Sequence, residues 1–162
     1  MLFRSNPVLF FEHKGLYNEI GNIGDEDTFL PIGKAFVKGK GSELLVIGYS
    51  HAFRTAVKGT RDLASRITYI DLGTVSPLDE KTILREARRI GKVMIVQDTP
   101  LGGSVGDTVA SLIAQKAFDS LKAPVKIVHA GQIPVPFSKI LEQSQIPTEE
   151  RVHEEALLML AL

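Results

Sequence analysis

The chain of 162 residues contains no cysteine and no tryptophan, and its 19 basic and 19 acidic residues leave a formal net charge of zero. Without cysteine there is no disulfide framework and no thiolate metal site, which accords with a cytoplasmic protein. Without a basic excess there is no electrostatic footprint for nucleic acid. No apolar run reaches the length of a membrane span, and the first five residues lack the basic and apolar regions of a signal peptide. Repeats and low-complexity tracts are also missing. What remains is 44% hydrophobic residues, enough for one ordinary core with a small appendage.

The run Pro7-Val8-Leu9-Phe10-Phe11-Glu12-His13-Lys14 reads as a buried-type strand passing into a loop, with six residues before it. A buried parallel strand needs neighbours on both sides. Residues 1–14 are therefore expected to be the remnant, the last strand, of a domain otherwise missing. Residues 15–32, rich in Gly, Asp and Asn, read as a linker, and residues 33–162 as one complete domain.

In that domain a short edge strand is expected over 33–38, and buried strands over 44–49, 67–71, 93–96 and 125–128. Helices alternate with them over 51–65, 76–90 and 105–121, followed by a short helix at 138–143 and a last one beginning after Thr148. Ser76 can cap the second helix with Pro77 at its first position, and Gly91 can close it. Strands alternating with helices specify an α/β fold: a doubly wound, mostly parallel sheet covered by helices on both faces. Four parallel strands and an antiparallel edge are expected.

Three sets of residues could carry function. Gly102, Gly103, Ser104 and Gly106 follow a strand and open a helix, where bare N–H groups can hold an anion. The same glycines can serve a tight turn and close packing. Ser50, His51, Asp71 and Asp98 lie at expected strand ends, where open α/β sheets bind ligands. A hydrolase can be built from such residues, but Gly-x-Ser-x-Gly is absent and Ser50-His51 also suits a helix cap. His13, His51, His129 and His153 are scattered without metal-ligand spacing, so no metal site is expected. Pro134, Val135, Pro136 and Phe137 form a stiff apolar corner, and Leu158 and Leu162 belong to a helix end apolar nearly all round. Both suit subunit contact.

Several of these runs together resemble the C-terminal part of the beta subunit of thiamine-diphosphate-dependent 2-oxo acid dehydrogenases of the pyruvate or branched-chain type. They are the stretch Asn6 to Tyr17, Pro31-Ile32-Gly33-Lys34-Ala35, and Ile70 to Asp79 with its Ser-Pro-Leu-Asp ending. Further along come Gly102-Gly103-Ser104-Val105-Gly106, Ala123-Pro124, and Ile133-Pro134-Val135-Pro136-Phe137 continuing to Glu142. The resemblance implies a transketolase C-terminal domain that supplies subunit contacts and no catalytic or cofactor-binding residue. It implies thiamine diphosphate and Mg2+ in the whole enzyme, with none bound by this chain alone. The implied partners are a second beta chain in a homodimer, an alpha subunit and the subunit-binding domain of a dihydrolipoyl acyltransferase. That last docking would involve Lys122 and Leu162. Lys122 departs from the family's usual Leu-Asp-Ala-Pro and reverses the local charge there. A free-standing α/β module holding a small anion at Gly102–Gly106 is the alternative function.

Overall fold

The computed structural model describes residues 9, 12–21 and 31–162. The strand expected within residues 8–12 lies outside the described residues, apart from the exposed Leu9 and Glu12. Residues 22–30, half of the 15–32 segment, also lie outside them.

Five strands form one sheet: β1 (Phe36–Lys38), β2 (Leu44–Gly48), β3 (Ile67–Asp71), β4 (Val93–Val96) and β5 (Lys126–Val128). Their order is β1-β3-β2-β4-β5. β2 to β5 pair in parallel, and β1 pairs antiparallel to β3 with Phe36 opposite Asp71. The doubly wound, mostly parallel architecture with an antiparallel edge is thus the one the sequence predicts.

β2 is Leu-Leu-Val-Ile-Gly and buried throughout because both faces of the sheet are covered. Successive side chains point to opposite faces. Leu44 and Val46 join a core with Tyr69, Met94, Val96 and Val128, covered by Ala52, Phe53 and Ala56 of α1 (Ser50–Gly59) and Val152, Ala156 and Met159 of α5 (Glu149–Ala161). Leu45 and Ile47 face the other way, with Ile70 and Ile95. There they meet Ile83, Ala87 and Ile90 of α2 (Glu80–Ile90) and Val109 and Ile113 of α3 (Val105–Lys116). α4 (Lys139–Gln145) precedes α5 and buries none of its residues. Among the described residues no helix is long and apolar enough to cross a membrane.

Some boundaries differ from expectation for local reasons. α1 stops at Gly59, and the chain turns through a 3-10 segment at Arg61–Leu63. α3 likewise gives way to a 3-10 turn at Phe118–Ser120. The expected cap of α2 at Ser76 is corrected. Ser76–Pro77 is a cis peptide outside the helix, and Asp79 is the cap, accepting from the Thr82 N–H. A second Asp79 hydrogen bond, from the Ala35 N–H, ties the approach to β1 onto α2. Gly91 closes α2 at φ 82°, in the left-handed region that favours glycine.

Candidate functional site

β3 lies on one side of β2 and β4 on the other, so the chain leaves the carboxyl ends of β2 and β4 toward opposite faces. Such a switch point is where open α/β sheets form a crevice. Two connections line it. After β2 the chain turns sharply at Ser50, whose φ of 53° is the one positive value among described non-glycine residues. Gly48 lets α1 approach the strand end, since a Cβ there would stand 3.1 Å from the Phe53 Cα. His51 follows in the first turn of α1. After β4 come the fully buried Gln97 and then Asp98.

The fold gathers His13, His51 and Asp98 here from three distant places. His51 Nδ1 lies 3.2 Å from Asp98 Oδ2, and His13 Nε2 lies 3.8 Å from the same oxygen. The two imidazoles stack with centroids 4.7 Å apart and planes 4° from parallel. Asp98 Oδ1 is buried without a hydrogen-bond partner among the described residues. Lys58 reaches Glu19 at 2.5 Å, a second link between the 12–21 segment and α1.

The donor atoms of His13, His51 and Asp98 lie within 4.8 Å of one another, which raises the question of a metal. Two features argue against one. His13 Nδ1 accepts from the Gly15 N–H at 3.1 Å, which assigns the proton of the neutral ring to Nε2, the atom facing Asp98. Metal-bound histidines do the reverse, donating from the second nitrogen. Parallel rings also share no in-plane point at which both lone pairs could meet one ion. The arrangement is a carboxylate hydrogen-bonded to the His51 imidazole, with the His13 ring stacked on that imidazole and its Nε2 turned toward the same carboxylate, clasping the 12–21 segment to the sheet.

The Ser50, His51, Asp71 and Asp98 set divides. His51 and Asp98 pair. Ser50 makes no hydrogen bond to a histidine among the described residues, so no nucleophile–base contact exists. Asp71 turns to its own loop and accepts from the Gly73 N–H at 3.2 Å. Burial raises its carboxyl, against the pull of that bond and of Arg54. His129 and His153 stand apart from this cluster, each with a nitrogen on a backbone carbonyl, of Ala130 and Gly59 respectively.

The Gly102–Gly106 turn carries an anion of its own. Asp107 Oδ2 accepts from the Gly102 N–H at 2.8 Å and the Ser104 N–H at 2.9 Å. Ser104 Oγ in turn accepts from the Asp107 N–H, completing a capping box. These bonds hold the exposed Asp107 carboxyl below its usual range. A free anion would have to displace that carboxylate. Gln97 supports the turn from beneath. Its Oε1 accepts from the Gly106 N–H at 2.8 Å, and its Nε2 donates to Ser104 Oγ at 2.8 Å. Gly102 and Gly103 have φ of 106° and 87°, and a Cβ on Gly106 would fall on the Gln97 amide. Gln97 and Asp107 escaped the sequence reading, although Ser104-Val105-Gly106-Asp107 has capping-box spacing.

The expected contact residues fall in two places. Pro134 to Phe137 and α4 expose Val135, Phe137 and Ile140 to solvent, Phe137 entirely. α5 starts beside His129, past the carboxyl end of β5, and ends where Lys92, at the amino end of β4, donates to the Leu160 carbonyl. Leu158 and Leu162 are exposed on its last turns, at the far end of α5 from the corner. Lys122 does share that amino edge, since its N–H donates to the Gly91 carbonyl at 2.8 Å.

The family model of the transketolase C-terminal domain matches residues 33–152. The beta subunit of acetoin:2,6-dichlorophenolindophenol oxidoreductase from Bacillus subtilis (strain 168) is 31% identical over 159 residues, covering 96% of this chain and 46% of that protein. The 2-oxoisovalerate dehydrogenase subunit beta of the same strain is 35% identical over 161 residues, covering 96% and 49%. The pyruvate dehydrogenase E1 component subunit beta of Rickettsia bellii (strain RML369-C) is 31% identical, covering 89% and 45%. The chain thus spans about half the length of the curated relatives it matches. The solved structure of a split gene transketolase, an inactive beta4 tetramer, is similar in fold at TM-score 0.71 and 18% identity, covering 88% of this chain and 46% of that one.

Proposed function

The chain belongs to the transketolase C-terminal domain family, and from that membership we propose that it is the assembly domain of the beta subunit of a cytoplasmic 2-oxo acid dehydrogenase. The whole enzyme would decarboxylate a 2-oxo acid oxidatively with thiamine diphosphate and Mg2+. This chain would contribute contacts to a second beta chain and to an alpha subunit. The observation that carries the reading is that relatives named as beta subunits align along nearly the entire chain. The apolar corner around Phe137, bare on a domain whose core is already closed on both faces, supports a contact role.

The described residues do not fit the cofactor. At the Gly102–Gly106 turn, the N–H groups of Gly102 and Ser104 are already engaged by Asp107. Mg2+ prefers an octahedral set of oxygen ligands, whereas the switch-point cluster offers one carboxylate between two imidazoles. No catalytic step is therefore assigned to this chain.

Calorimetric titration of the isolated chain with thiamine diphosphate and Mg2+, alongside a 2-oxo acid decarboxylation assay, tests the proposal. No binding heat and no turnover are expected. Tight, magnesium-dependent binding would overturn the assignment.

A further inference from the structure

The outer face of α2 carries an excess of positive charge on a chain of zero net charge. Within eleven residues it carries Lys81, Arg85, Arg88 and Arg89 against Glu80 and Glu86. Lys81, Arg85 and Arg88 follow one another at i, i+4 and i+7, a stripe roughly 10 Å long. Glu80 is already paired with Lys116 at 2.7 Å.

A run of charge on a helix is commonly just a solvated face, and exposed ion pairs contribute little. Three features set this one apart. First, the stripe is pre-organised. Glu86, with its side chain only 9% exposed, accepts from Arg85 Nε at 2.8 Å and from Arg89 Nε at 2.7 Å. Arg89 then turns inward to Thr68 Oγ1, while Arg85 stays 57% exposed and its terminal nitrogens make no hydrogen bond among the described residues. Second, Arg88 is fixed by a carbonyl, donating from Nη2 to Lys116 O at 2.7 Å. It has no acidic partner among the described residues, and neither has Lys81. Third, the cations flank a shallow trough of about 720 Å3 lined by the stems of Lys81, Arg85, Arg88 and Arg89, with the largely buried Leu84 at its base. Arginines held in place above an aliphatic floor suit recognition, because little side-chain freedom is lost on docking.

We propose that this face of α2 docks an acidic amphipathic segment of another protein. Its carboxylates would meet Lys81, Arg85 and Arg88, and an aliphatic side chain would lie against the side-chain stems that line the trough. Nucleic acid is less suited, since the stripe has no aromatic platform for bases. A second copy of this chain is less suited as well. Its exposed acids Glu149, Glu150 and Glu154 on α5 share their surface with Lys58 and Arg61. The inference uses no feature of the assembly reading and can fail or stand without it.

The test is fluorescence anisotropy with a labelled helical peptide bearing Glu on one face and Leu beside it. A peptide of identical composition in scrambled order and a labelled single-stranded RNA serve as comparators. At low ionic strength the patterned peptide should bind, and roughly 200 mM salt should weaken it severalfold. Arg85→Glu/Arg88→Glu should reduce affinity at least tenfold. Because Arg85 contacts Glu86, Lys81→Glu is measured in parallel and should cost roughly threefold, about 0.7 kcal/mol. Lys139→Glu on α4 should cost nothing. Circular dichroism establishes that each variant is folded. Equal binding of the scrambled peptide, tighter binding of the RNA, self-association abolished by the same reversals, or indifference to Lys81→Glu would each overturn the proposal.

Discussion

Replacing Asp79 by alanine should cost about 2 kcal/mol of folding stability. This carboxylate is buried and accepts three hydrogen bonds: from the Thr82 N–H at 3.2 Å, the Thr82 hydroxyl at 2.9 Å and the Ala35 N–H at 3.2 Å. Loss of the cap accounts for about 1 kcal/mol. Loss of the charge-assisted tie to Ala35 should add about 1 kcal/mol, limited because Ala35 is half-buried and water can reach it. For a domain of this size the melting temperature should fall by roughly 4–8 °C. The pH dependence has a definite sign. Burial alone would raise the Asp79 carboxyl, but the bonds from Ala35 and Thr82 outweigh it and hold the group below its usual range. A depressed carboxyl stabilises the fold above the unfolded value, about 3.9, and that stabilisation is lost as pH falls through the folded value. Asp79→Asn keeps the cap, so it should cost under about 1 kcal/mol at pH 7. Its deficit should shrink as pH falls below about 4. Urea unfolding of wild type, Asp79→Ala, Asp79→Asn and Ser76→Ala gives the comparison, with Ser76→Ala within about 0.5 kcal/mol of wild type. Equal losses at Ser76 and Asp79 would refute the assignment of the cap.

Gly106→Ala should cost about 2 kcal/mol, because the new Cβ displaces the Gln97 amide from the Gly106 N–H and from Ser104. A loss as small as that of an exposed site in thermal unfolding would contradict this packing. A double-mutant cycle on His13→Ala and His51→Ala should give a coupling of roughly 0.5–1.5 kcal/mol from their stacking. Faster proteolysis within residues 12–21 should accompany either change, and strict additivity would mean that the clasp does not form. If the subunit-binding domain that the family resemblance implies is basic and docks beside Lys122, Lys122→Asp should strengthen its binding at low ionic strength by removing a like charge. Equal affinities would place Lys122 outside that interface.

Much of the fold was legible because the strands are short, fully apolar runs between helices with clear stop signals. Gly91 and Thr148 marked helix ends through purely local chemistry, and the structure shows both in those roles. Ser76-Pro77 misled because a proline after serine carries the same signature in a loop as at a helix start. Only the Asp79 contacts separate the two. The site was less legible because it is made by topology. His13, His51 and Asp98 meet only after β4 has crossed to the far side of β2, so their spacing along the chain carries no trace of their proximity. Gln97 is the opposite case, a polar residue at the end of an apolar strand that reads as a strand terminus until its amide is seen bridging to the next helix. Phe137 and Leu158 were marked as contact residues by composition, but composition could not reveal that α5 holds them apart.

Sedimentation equilibrium of the chain, with and without Phe137→Glu, tests the assembly role most directly. The wild type should be a two-fold dimer across micromolar concentrations, dissociated by Phe137→Glu, with Leu158→Glu reporting separately on the far end of α5. A strictly monomeric mass up to near-millimolar concentration, unchanged by either substitution, would contradict it.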